Sequence, residues 1–118
     1  MYVANLVTKP GPTQDFGVHD FADEVERLAG GAFLDYVIYN NAKPTKTLMD
    51  RYAHEGEYGV AVVAAENAKR AWKAKGAPVL AKAAWEGGQA SDPLARTRSY
   101  IRHDTDAVAR QLMRIYFA

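Results

Sequence analysis

The 118-residue chain contains no cysteine. Disulfides, zinc–thiolate centres and thiol nucleophiles are thereby excluded, and a reducing compartment is a fitting setting. The chain has no G-x-G-x-x-G turn and no G-x-x-x-x-G-K-S/T loop, so the usual phosphate cradle of a nucleotide-binding α/β protein is not encoded in it. No serine stands in a nucleophile elbow. No run approaches the ~20 apolar residues of a membrane span, and no charged segment followed by an apolar one marks a secretory leader. An excess of one charge is also lacking. Lys and Arg number 15 against 14 Asp and Glu, a net charge of +1. Nucleic acid or an anionic membrane surface would require clustered Lys and Arg. The three histidines, His19, His54 and His103, are too scattered for a spacing-based metal motif. The expectation is a cytoplasmic protein with no metal, no cofactor, no nucleic-acid partner and no membrane attachment.

What is present is one domain's worth of core. The hydrophobic fraction is 48% and the charged fraction 25%, ordinary for a folded protein. Met1 to Val7 is a run of β-formers that meets Pro10-Gly11-Pro12, a strand ending in a stiff turn. Gly17 and Asp20 form a weakened capping box for a helix whose apolar face is Val18, Phe21, Val25 and Leu28, and Gly30-Gly31 ends it. Phe33 to Tyr39 is a second strand, nearly continuous in apolar residues, as expected when helices cover both faces. Asn40-Asn41 tolerate left-handed backbone and suit a turn. Pro44 pre-sets the first turn of a helix with Leu48, Met49 and Tyr52, closed by Gly56. Tyr58 to Val63 reads as a third strand. Strand, helix, strand, helix, strand argues for a parallel α/β sheet with helices on its faces. From Ala64 to Thr97 the signals weaken. A short helix over Ala64 to Ala74, an edge strand over Ala77 to Ala81 and a loop over Gly87 to Pro93 are expected in a variable segment spanning 64–97. Asp104 caps a last helix with Val108, Leu112, Ile115 and Tyr116 on its apolar face.

Two segments offer ligand chemistry. The loop from Thr8 to Thr13 holds hydroxyls at Thr8 and Thr13, the ammonium of Lys9, and Gly11, where another group can approach the backbone. These groups suit a phosphate or a sugar hydroxyl; the same loop also reads as a rigid turn feeding the first helix. Arg102-His103-Asp104-Thr105 opens the last helix, whose N-terminus favours an anion, and Arg102 adds a planar fork for phosphate or carboxylate. There too a plain reading stands, with Asp104 as cap and Arg102 as a solvated charge. His19 and His54 read as solvated helix residues. Tyr36, Tyr39 and Tyr52 read as core and core rim, and Lys69, Arg70, Lys73 and Lys75 as a solvated face. Trp72 and Trp85 are expected to pack against chain absent here or against a partner.

The segment from Tyr2 to Thr13 resembles the "YV-x-N-L/V-M/V-T-Q/K-P-G-E/Q-T" stretch of the CofD-like family, which contains the 2-phospho-L-lactate transferases and the YvcK-type gluconeogenesis factors; the similarity is to the YvcK-type branch. Leu34 to Asn41 looks like the family's "LDYVLVNN" strand, Arg51 to Gly56 like "RYxxEG", and Arg102 to Thr105 like "RHD-T/P". These matches run in family order from end to end of the chain. The resemblance implies a Rossmann-like, three-layer parallel sheet of which residues 1–118 form a C-terminal portion. The glycine-rich phosphate motif would then lie in a preceding part of a longer protein. A strand beginning at residue 1 fits that expectation. The resemblance further implies a UDP-sugar or other nucleotide-linked small molecule as ligand in the YvcK-type branch, with roles in carbon metabolism and cell-shape control. In the transferase branch it implies phospholactyl transfer to a deazaflavin. Whether the chain belongs to an enzyme is left open by a family that includes transferases and a chain that lacks the glycine-rich site. A structural or assembly fragment with no ligand of its own is the third reading. Carried over residue by residue, Arg102 is the ligand-binding arginine, Asn5, Thr8, Gly11 and Thr13 belong to the ligand-binding loop, and Thr105 is a regulatory phosphosite. Pro12 departs from the family's Glu or Gln and removes a backbone donor. An exposed sheet edge would favour a homo-oligomer.

Overall fold

Val37 and Ile38, the centre of the second apolar run, have no exposed surface, because the strand that carries them is covered on both faces and paired on both edges. The computed structural model describes residues 1–81 and 101–117. Among these, β1 (Tyr2–Val3), β2 (Tyr36–Asn40) and β3 (Lys73–Ala77) form a parallel sheet in the order β1-β2-β3. Tyr2 pairs with Val37 and Val3 with Ile38; on the other edge Tyr36 pairs with Lys73 and Asn40 with Ala77.

Strand alternation sends the two central side chains to opposite layers. Val37 packs with Leu34, Trp72, and Val18 and Ala22 of α1 (Val18–Ala29). Ile38 packs with Ala77, Val79 and the apolar face of α4 (Thr105–Tyr116), namely Ala107, Val108, Leu112 and Ile115. A third cluster joins Leu48 and Tyr52 of α2 (Lys46–His54) to Leu80 and Ile101. The architecture is a three-layer, Rossmann-like α/β arrangement. Full burial of each aliphatic side chain contributes about 1.5–3 kcal/mol.

Local chemistry sets the helix ends. The Gly17 N–H donates to Asp20 Oδ2 at 2.9 Å, which is half of a capping box, as glycine has no side chain to complete it. Gly30 takes φ +94° as the C-cap, a left-handed geometry that glycine adopts without steric cost. Glu26 then accepts from the N–H groups of Phe33 and Leu34 at 2.8 and 3.1 Å, clamping the return to β2. Asp104 accepts from the Ala107 N–H at 3.1 Å and caps α4. Leu28, expected on the apolar face of α1, is exposed.

Several elements differ from the sequence expectation. The opening strand is shorter than Met1 to Val7: beyond Val3 the chain leaves the sheet, and Val7 makes an isolated antiparallel bridge to Gly59. Tyr58 to Val63 is not a sheet strand; it pairs singly through Gly59 and Ala61, and Val62 and Val63 face solvent. The place beside β2 is taken by Lys73–Ala77. Its Lys, Ala and Gly are poor β-formers, but backbone pairing along the whole length of β2 outweighs that propensity. The helix at Ala64 stops at Ala68 (α3, Ala64–Ala68) to release the chain into β3. Ala77 to Ala81 forms no edge strand of the sheet, although Leu80 bridges His103. Pro44 stands outside α2, because Thr45 is the extended N-cap and accepts from the Leu48 N–H at 3.3 Å. Asn40 and Asn41 have no left-handed backbone. Trp72 is buried in this chain's own core rather than against a partner. His19 is not solvated: its Nε2 lies 3.3 Å from Asp20, and its side chain is largely buried. Trp85, the Gly87 to Pro93 loop and residues 97–100 lie outside the described residues.

Candidate functional site

In open parallel α/β sheets ligands bind beyond the carboxyl ends of the strands. Two clefts occupy that region here. The first, about 500 Å³, lies where the chain leaves the three strands, between Asn5 and Val7, Asn40 to Pro44, and Leu80. The second, about 470 Å³, shares Asn5, Leu6, Val7 and Ile101 with the first and is otherwise lined by Lys9, Thr13, Phe21, Arg102 and His103.

The frame of the first cleft is held by Asn40. Its Oδ1 accepts from the N–H groups of Ala42 at 3.1 Å and Val79 at 3.2 Å, and its Nδ2 donates to the Ala42 carbonyl at 2.6 Å. One side chain thus ties the loop after β2 to the segment after β3. The sequence signalled a turn at Asn40 but not this cross-link, whose second partner lies 39 residues away.

The frame of the second cleft is built from two short antiparallel contacts. Residues 6–9 run against 57–60: the Thr8 N–H donates to the Tyr58 carbonyl at 2.7 Å, and the Val60 N–H donates to the Leu6 carbonyl at 3.1 Å. The Thr8 hydroxyl accepts from the Tyr58 N–H at 3.2 Å and faces its carbonyl at 3.3 Å. Lys9 Nζ pairs with the largely buried Glu57 carboxylate, which holds the ammonium above the ordinary lysine range. Thr13 Oγ1 closes the loop by accepting from the Lys9 N–H at 2.8 Å. On the other side, residues 101–104 are pinned from four directions. The Ile101 N–H donates to the Tyr52 hydroxyl at 3.1 Å, and the Ala81 N–H to the Arg102 carbonyl at 2.8 Å. The Asp104 N–H donates to the Val79 carbonyl at 2.7 Å, and His103 Nε2 lies 3.0 Å from the Ala4 carbonyl.

Asn5, Thr13 and Arg102 therefore converge on the second cleft, although the last is 97 residues from the first in sequence (102 minus 5). The Arg102 side chain is exposed and has no hydrogen bond or ion pair among the described residues. Asn5 Oδ1 accepts from the Tyr2 hydroxyl at 2.7 Å, and its amide nitrogen is left to donate. Thr8 and Gly11 line neither cleft. Thr8 is buried and spends its hydroxyl on Tyr58. Gly11 has φ +86° with open space around its α-carbon, so glycine serves the turn there. Thr105 is exposed in the first turn of α4, next to the Asp104 cap. Lys9 and His103 line the second cleft alongside them. Lys9 was legible as a loop cation, whereas the bond of His103 to Ala4 spans 99 residues and had no local signal. Among the described residues no group of three or more His, Asp or Glu could hold a metal ion. No helix among them is long and apolar enough to cross a membrane.

The profile of the family described as 2-phospho-L-lactate transferase CofD matches residues 1–84. A Thermotoga maritima protein named "Putative gluconeogenesis factor" is 34% identical over 115 residues, which is 98% of this chain and 33% of that protein. A protein of the same name from Thermoanaerobacterium thermosulfurigenes is 33% identical over 113 residues, 96% of this chain and 30% of its own length. The chain spans about a third of the length of these curated relatives. Two crystal structures of a Bacillus halodurans protein, a member of the UPF0052 family, superpose with TM-scores of 0.74 and 0.69 over 95% and 92% of this chain and about a third of theirs. At 15% sequence identity they speak to the fold alone. The coverage of the family profile agrees with the order of motifs from Tyr2 to Thr105, and the chain belongs to the CofD family, with similarity to proteins named gluconeogenesis factors.

Proposed function

We propose that this chain supplies one wall of a nucleotide-sugar-binding cleft in a cytoplasmic regulatory protein, with a UDP-sugar such as UDP-N-acetylglucosamine as ligand and carbon metabolism and cell shape as the processes served. The observation that carries the reading is the convergence of Asn5, Thr13 and an unpaired Arg102 at the carboxyl ends of a parallel sheet. A guanidinium there offers a bidentate fork to a phosphate, and the neutral Asn5 amide suits the ligand's uncharged oxygens. Most phosphate contacts come from outside this chain, which has no glycine-rich cradle. Thr105 is the regulatory phosphosite: a phosphate on it sits at a helix N-terminus, where negative charge is favoured. The second reading, phospholactyl transfer, is supported by the description of the matching family profile. The third is an assembly fragment without a ligand of its own.

Calorimetry with UDP-N-acetylglucosamine and with GDP separates these readings. Binding of the UDP-sugar that is lost in Arg102→Ala supports the first. Preference for GDP moves the balance to the transferase. Absence of binding by either, with upstream sequence restored, overturns both. The same reading includes a homo-oligomer. Among the described residues β1 and β3 each pair on one side only; the β3 edge carries exposed Lys73 and Lys75, a guard against pairing, whereas β1 carries no charge. Self-association through β1 is expected, and a monomer in sedimentation at high concentration would refute it.

A further inference from the structure

We propose that His103 is a specificity residue of the second cleft, accepting a hydrogen bond at Nδ1 from a ligand hydroxyl that lies close to the phosphate held by Arg102. The inference deepens the nucleotide-sugar reading and rests on it for the place of the ligand. It follows from the tautomer. Nε2 lies 3.0 Å from the carbonyl oxygen of Ala4, and a carbonyl only accepts, so Nε2 carries the proton. In the neutral ring Nδ1 is then an obligatory acceptor. Nδ1 has no partner among the described residues, and His103 itself lines the second cleft.

The rest of the neighbourhood sharpens what Nδ1 reads. The ring is held rigidly, because Arg102 and Asp104 on either side are fixed by backbone bonds to Ala81 and Val79. Among the cleft's other polar groups, Lys9 and Arg102 are cations that donate only, Asn5 Oδ1 already accepts from the Tyr2 hydroxyl, and the Thr13 hydroxyl is engaged with the Lys9 backbone. Nδ1 is therefore the acceptor that complements a cluster of donors. A bare phosphate dianion satisfies the donors and leaves Nδ1 facing another acceptor. A phosphorylated polyol satisfies both, with phosphate oxygens on Arg102 and a hydroxyl donating to Nδ1. The ligand class is thus a sugar phosphate or sugar nucleotide with a free hydroxyl near the phosphate, in preference to an inorganic phosphate or a nucleotide without the sugar.

The variant that tests this is His103→Gln, whose amide N–H can replace Nε2–H at the Ala4 carbonyl while removing the acceptor at the Nδ1 position. His103→Ala, which removes both, is the structural control. Affinities for UDP-N-acetylglucosamine, UDP and glucose 1-phosphate are measured by calorimetry, and the His103 ring nitrogens are followed by ¹⁵N NMR. The expected result is a folded His103→Gln protein with affinity for the two sugar-bearing ligands reduced about tenfold, the size of one lost hydrogen bond, and affinity for UDP unchanged. In the native protein the Nδ1 resonance shifts with sugar-bearing ligands and not with UDP. UDP-sugar binding that leaves Nδ1 unmoved, or equal losses for UDP and UDP-sugar in His103→Gln, overturns this inference and leaves the nucleotide-sugar reading intact. Binding of glucose 1-phosphate with an Nδ1 shift, but of no nucleotide, keeps the inference and overturns that reading. Binding of none of the three overturns both.

Discussion

Replacing Asn40 by alanine tests the frame of the first cleft most directly. The side chain makes three hydrogen bonds, two at Oδ1 from the N–H groups of Ala42 and Val79 and one from Nδ2 to the Ala42 carbonyl. Val79 is fully buried, so its N–H loses its partner in a place that water does not reach. That orphaned donor costs about 1–3 kcal/mol. Ala42 is half-buried, and water recovers part of what its two bonds supplied, leaving a net loss of about 0.5–1 kcal/mol. Asn40→Ala should therefore destabilise the protein by about 1.5–4 kcal/mol, with a fall of about 1–3 M in the urea midpoint at an unchanged slope. Asn40→Asp keeps the acceptor for both N–H groups but sets a carboxylate oxygen against the Ala42 carbonyl. It should be destabilised at neutral pH and recover in acid, where the protonated carboxyl can donate to that carbonyl. Asn41→Ala, at an exposed neighbour, should fall within about 0.5 kcal/mol of the native protein. Equal midpoints for Asn40→Ala and Asn41→Ala in urea denaturation would refute the reasoning, as would an Asn40→Asp variant indifferent to pH.

Three further outcomes follow from the same geometry. Gly76→Ala places a methyl 2.7 Å from the ring of Tyr39, which lies across the strand at that point, and should cost about 1–3 kcal/mol by thermal or urea unfolding; Tyr39→Ala should relieve most of that cost. Thr8→Val removes the hydroxyl that serves the Tyr58 backbone and should cost about 1 kcal/mol, discounted because Tyr58 is exposed; protease nicking of the 8–13 loop should rise in parallel. Hydrogen bonds from Lys69 and then Arg70 hold the Glu66 carboxyl below the usual glutamate range. A group depressed on folding contributes stability above its unfolded pKa and loses it as pH falls through the folded one. The acid side of a melting-temperature profile should flatten in Glu66→Gln, and an unchanged profile would remove that ion pair from the account.

The second cleft shows how local and distant information divide. Arg102 stood out as a fork at a helix start, and Thr13 as a hydroxyl in a stiff loop, because both signals depend on residues within a turn or two. Thr8 carried the same kind of signal, yet its hydroxyl is spent on Tyr58, fifty residues away, as that of Thr13 is on the Lys9 backbone within the loop. A side chain's freedom to meet a ligand depends on whether the fold has already given it a partner. His103 shows the converse, since its bond to Ala4 fixes a tautomer that nothing in the neighbouring sequence indicates. Of the residues that the family resemblance names, Asn5, Thr13 and Arg102 line the second cleft and Thr8 and Gly11 do not.

What the chain determined alone was local punctuation and core pattern. Gly30 ends α1 because a left-handed residue without a β-carbon is needed there. Asp104 caps α4 because its carboxylate reaches the Ala107 N–H three residues on. The apolar run around Val37 and Ile38 called for cover on two faces and received it. The tertiary structure decided which segment became the third strand. By composition Tyr58 to Val63 was the stronger candidate and Lys73–Ala77 the weaker. Strand pairing is won by whichever segment can lie along the whole edge of β2, and that depends on where α3 and the buried Trp72 deliver the chain. The tertiary structure also brought Asn5, Thr13 and Arg102 to one cleft. A parallel sheet collects its strand ends on one side, however far apart they stand in sequence.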